Sequence, residues 1–70
     1  MSEFKVGDVV KVVKIVEEQE GWHNSWVSDM NYFVGKKYMI AFIDERTGIE
    51  LCDEEMEVYY EFPSSALELV

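Results

Sequence analysis

Apolar and polar residues alternate over several short stretches of this chain, and no stretch carries the apolar repeat of a long helix. The opening "FKVGDVVKVVKIV" is dense in β-branched residues, which suit a pleated, half-buried surface. Gly7-Asp8 supplies a turn before it. The pattern predicts a strand over 9–16, with Val10 and Val12 facing one way and Val9, Lys11 and Val13 the other. The next segment, "EEQEGWHNSW", is polar, bears a glycine and has no period. It reads as a loop longer than the usual hairpin connection. "SDMNYFVG" predicts one helical turn, N-capped by Ser28 or Ser25 and ended by Gly35 in the left-handed conformation.

"KKYMIAFID" predicts a second strand, "DERTG" a turn and "IELCD" a third strand. "EEME" is the next turn and "VYYEF" the fourth strand. Pro63 cannot donate to a ladder and so ends it. "PSSAL" predicts a 3-10 turn capped by serine, and "LELV" a short fifth strand. Five short strands without a long helix predict an all-β fold, a small five-stranded barrel with one short helical or 3-10 turn. Closure would also dispose of exposed strand edges. Seventy residues make a single domain, residues 1–70.

The segments "VGDVVKVV", "W…MNYFVGKKYMIAFID" and "YYEFPSSALELV" together resemble a small SH3-like barrel module common in bacteriophage and bacterial proteins. Its pattern is matched by Gly7, Asp8, Val10, Val12, Met30, Gly35, Lys36, Ile43, Asp44, Tyr60, Phe62, Ala66, Leu67 and Leu69. Most of these are turn glycines and core positions, and together they span nearly the whole chain. The resemblance implies the barrel and no catalytic residues, and such barrels host many roles.

Charge narrows the classes of partner. Six basic residues face fifteen acidic ones, a formal net charge of −9. Residues 1–37 hold six acids and five bases, whereas residues 38–70 hold nine acids and only Arg46. Such a surface repels nucleic acid, whose phosphates need Lys and Arg, and suits a protein partner with a basic surface. Acidity of this kind also keeps a small protein soluble. Cys52 is the only cysteine, so no internal disulfide is available. The N-terminus lacks a signal pattern and no apolar run approaches the ~20 residues of a membrane span, so a cytoplasmic location is expected. For a phage-encoded chain that means the host cytoplasm.

Candidate chemistry is sparse. A hydrolase needs a nucleophile, a base and an orienting group within reach, and only His23 and Cys52 offer themselves. One histidine and one cysteine fall short of a zinc set, and the acidic turns lack the ligand spacing of a calcium loop. No glycine-rich phosphate loop is present; no enzyme activity, cofactor or metal is expected. The aromatics carry more. Trp26, Tyr38, Phe42, Tyr60 and Phe62 are expected to fill the core. Trp22, flanked by polar residues, and Tyr59, flanked by acids, are expected to be exposed and available for recognition.

The sequence therefore leads to a non-enzymatic protein-binding module, docking an acidic and aromatic surface onto a host or viral protein. Its expected contact residues are Trp22, Tyr59, Glu50, Asp53, Glu54, Glu55, Glu57 and Glu61, with Glu17, Glu18 and Glu20 as a second acidic cluster. The turns "DERTG" and "CDEEME" are expected to project on one side. Two further classes stay open: a nucleic-acid mimic that inhibits a host nucleic-acid enzyme or defence protein, and a structural component of a virion or larger complex. The partner's identity and the oligomeric state are not legible.

Overall fold

Two kinds of residue set the strands of this chain: β-branched and aromatic side chains at alternate positions, and polar turn residues between them. The structure, a computed structural model, describes residues 4–55 and 57–70, with only the backbone of Val58 and Tyr59. Five strands form one antiparallel sheet: β1 (Val9–Val12), β2 (Lys37–Asp44), β3 (Gly48–Cys52), β4 (Val58–Phe62) and β5 (Leu67–Leu69). Their order across the sheet is β4-β3-β2-β1-β5, so β4 and β5 are the outermost strands. A 3-10 turn, Ser28–Phe33, precedes β2, and another, Ser64–Ala66, precedes β5. The fold is all-β, as the alternation predicts.

β1 is shorter than expected. It stops at Val12, where Gly35 and Lys36 close around it: the Gly35 N–H donates to the Val12 carbonyl and the Val12 N–H to the Lys36 carbonyl. Gly35, at φ +89°, makes that return possible, because left-handed backbone costs glycine nothing. The inward and outward faces of β1 are as the pattern gives them, Val10 and Val12 buried, Val9 and Lys11 exposed.

Neither serine caps the first 3-10 turn through its side chain. The N-cap is Val27, whose N–H donates to the Met30 sulfur at 3.3 Å. Nor does a serine cap the second, which begins after Pro63 in extended conformation.

The core gathers Val10, Val12, Met30, Phe33, Ile40, Ile49, Leu51, Phe62 and Leu67, with Trp26, Tyr38 and Ile43 packed against it. Phe62 is the hub of its aromatic part. Trp26 meets it edge-on at 5.6 Å and Phe33 tilts against it at 5.5 Å. Phe42 and Tyr60 depart from the expected core: they are 54% and 40% exposed. For Phe42 the reason is a one-residue register shift in β2. Ile40 pairs with Leu51 but Phe42 pairs with Glu50, leaving Ala41 as an extra residue. Strict alternation from Ile40 would turn Phe42 inward. The extra residue turns it outward and brings Ile43 in instead.

Candidate functional site

Side chains hold down the long loop between β1 and the first 3-10 turn against two other turns. Gln19 reaches the second 3-10 turn: its Nε2 donates to Ser64 Oγ, and its Oε1 accepts from the Ser65 N–H at 3.0 Å and from the Ser65 hydroxyl. Three residues on, the loop meets the β2–β3 turn. Trp22 Nε1 donates to the Thr47 carbonyl at 2.8 Å, Asn24 Nδ2 donates to the same oxygen at 3.2 Å, and the His23 N–H donates to the Arg46 carbonyl.

Trp22 is therefore not the exposed ring its polar neighbours suggest. It is only 9% exposed, its indole nitrogen lying close against Gly48. Its neighbours in sequence are polar because they face water, while the indole itself turns in towards residues 25 or more positions away. A ring so covered has little surface to offer a partner.

The acids divide by their place along β3. At one end the β2–β3 turn is built on Asp44, whose Oδ1 accepts the N–H groups of Arg46 at 2.8 Å and Thr47 at 3.0 Å. Those two donors hold the Asp44 carboxyl below its ordinary value. Glu20, Asp44 and Glu45 line a groove of about 350 Å³ there, with Trp22 and Gly48. Glu17, Glu18 and Glu20 of the loop are exposed. At the other end the β3–β4 turn is built on Asp53, whose Oδ1 accepts from the Glu55 N–H at 2.9 Å and the Glu57 N–H at 3.0 Å. Asp53 thus shapes its own turn, leaving Glu54, Glu55 and Glu57 exposed around it. The two acidic turns do not project on one side, because each follows a different end of the single strand β3.

Between them, Glu50 and Glu61 face each other directly across β3 and β4. Both are half-buried and lie on the sheet face opposite the core, since Ile49, Leu51 and Phe62 point inward. Glu61 accepts a hydrogen bond from the Thr47 hydroxyl. On the other side of Glu50, in the same row, stands Phe42. The register thus assembles an exposed ring and two carboxylates that the sequence places 8 and 11 residues apart. Reading by strict alternation finds the glutamates and misses the phenylalanine.

Tyr60 sits apart from this row. Its hydroxyl donates to Asp29 Oδ2 at 3.2 Å, which holds the phenol above its ordinary value, and its ring meets Phe33 edge-on at 6.0 Å. The Tyr59 side chain lies outside the described residues. His23 and Cys52, the residues a nucleophilic dyad would need, are held at opposite ends of β3. His23 is bonded to the Gly48 end through Arg46, and Cys52 is fully buried at the other, with a free thiol. Four residues of extended chain separate those ends by ~13 Å. Among the described residues no helix is long and apolar enough to cross a membrane.

Comparison with known proteins finds no matching family model, no matching curated protein and no matching solved structure.

Proposed function

We propose that this chain is a non-enzymatic protein-binding module that docks an acidic and aromatic surface onto a basic protein partner. The observation that carries the reading is the pairing of Glu50 with Glu61. Like charges directly opposite each other on a sheet cost the fold stability. A small domain that tolerates that cost on an open face, beside an exposed ring, gains if a cation from elsewhere neutralises the pair. The meander of β1 to β4, the return of β5 to pair with β1, the long first loop and the 3-10 turn before β5 support the SH3-like barrel as its architecture. A cytoplasmic, phage-encoded adaptor acting on a host or viral protein is the setting this reading favours.

The test is affinity capture from bacterial lysate at low and high salt, with two triple charge reversals compared to the wild type. One converts Glu50, Glu57 and Glu61 to lysine, the other Glu17, Glu18 and Glu20. A partner released by salt and lost with either variant is expected. Capture indifferent to salt and to both variants sinks the reading.

One observation favours a second reading, mimicry of nucleic acid. Acids occupy both ends of β3 and its middle, so a line of negative charge runs the length of one strand, as phosphates line a duplex. A mimic's partner would be a nucleic-acid-binding enzyme or defence protein, and DNA or RNA would compete with this chain for it.

A further inference from the structure

The outer face of β2–β3–β4 offers more than charge. Phe42, Glu50 and Glu61 are consecutive cross-strand partners, so their side chains stand side by side on one face, with adjacent Cβ atoms ~5 Å apart. Phe42 is 54% exposed, an unusual position for a phenylalanine in the middle of a sheet. Among the described residues no hydrogen bond or ion pair engages the Glu50 carboxylate. One step along the strands, on the same face, Val9 pairs with Met39 and Met39 with Cys52. Val9 is 47% exposed and Met39 half-buried, so an apolar row borders the acidic one.

Resting on the docking reading above, we infer that this face binds an arginine side chain of the partner, its guanidinium stacked on Phe42 and forked to Glu50 and Glu61. Charge complementarity selects a cation. The ring selects arginine among cations: guanidinium is planar, weakly hydrated, stacks on aromatic faces and reaches carboxylate through several fixed donors. Lysine's compact, strongly hydrated ammonium uses the ring less well. The bordering apolar row receives a neighbouring apolar residue of the same segment. The occupant is therefore an arginine-bearing segment of a protein, set across the strands.

The experiment uses the whole chain and a short peptide alternating arginine and glycine, with lysine and citrulline counterparts, followed by amide shifts and titration calorimetry at low salt. The arginine peptide is expected to bind most tightly and citrulline not at all, with the largest shifts at Phe42, Glu50 and Glu61. Phe42→Ala should weaken binding about tenfold, and Phe42→Trp should restore or tighten it, since tryptophan offers the best cation–π face. Unchanged melting temperatures would show that neither variant acts through the fold. Binding that ignores Phe42→Ala and Glu50→Gln, with shifts at residues 53–57 or 17–20, overturns this site and leaves the docking reading standing. Equal affinity for arginine and lysine peptides overturns the stacking. The docking reading itself falls only by the capture experiment, which does not involve Phe42.

Discussion

The Trp22 indole rests so close to Gly48 that a Cβ on that glycine would stand 2.8 Å from Nε1 and 2.6 Å from the Phe62 carbonyl oxygen. The chain's longest loop is thereby seated on the start of β3. Truncating a buried tryptophan costs ~3–5 kcal/mol, as much as a domain of this size commonly has. Trp22→Ala is expected to unfold much of the population at room temperature. Trp22→Phe keeps most of the apolar bulk and loses the bond to Thr47, costing ~1 kcal/mol more than a conservative swap alone. Urea denaturation measures both. A Trp22→Ala variant as stable as the wild type would mean that the ring is not seated there.

Gly48 has φ +114° as well as that crowding. An alanine there meets backbone strain and a backbone oxygen that cannot swing aside. Gly48→Ala should cost ~2 kcal/mol or more, read as a lowered denaturation midpoint. Gly21, also at positive φ but with open space around it, isolates the strain from the clash. Gly21→Ala should cost clearly less, and equal costs would remove the close approach as the cause.

Gln19 fastens the other part of the loop to the turn before β5. Its bonds are exposed, so Gln19→Ala should lower global stability by no more than ~1 kcal/mol. The local effect should be larger. The Ser65 amide, whose acceptor is Gln19 Oε1, is expected to exchange with solvent much faster in the variant, while the Ile40 amide of the sheet keeps its protection. An unchanged Ser65 rate would show that the bond does not restrain the turn.

Asp44 carries the pH dependence of the β2–β3 turn. Its carboxyl is held below the ordinary value by the Thr47 and Arg46 N–H groups. Its contribution is therefore present above the unfolded-state value and is lost as pH falls through the lowered, folded-state one. Asp44→Asn, a neutral isostere, should melt below the wild type at pH 7, and the gap should close on acidification. A gap constant with pH would assign the effect to geometry and not to charge.

Period-two alternation and turn residues made the strands legible. Pro63 closes β4 and the Asp44 and Asp53 turns fall where their residues suggest, because these are local effects. What escaped is what depends on distant pairing. The burial of Trp22 rests on a bond to Thr47, and nothing in the loop's own composition announces it. The outward turn of Phe42 rests on a single extra residue, Ala41, which reverses the phase of β2 for everything after it. Tyr60 has the parity of Phe62, yet leans to the rim, where Asp29 holds its hydroxyl. Glu50 and Glu61 could be named from the sequence as acids, but that they oppose each other is a fact of register.

The order β4-β3-β2-β1-β5 leaves two outermost strands, and they are protected unequally. β5 is three residues long and offers little template to another chain. β4 is longer and relies on Pro63 just past its end, on Glu57 just before it and on Glu61 within it. Shortness guards one edge, whereas charge guards the other. Near the isoelectric point of about 4.3 the chain as a whole carries no net charge to hold copies apart, and they should begin to add strand to strand through β4. Light scattering during acidification is expected to rise before the near-ultraviolet signal of the folded aromatics is lost, and lysine in place of Glu61 should move the onset away from that pH.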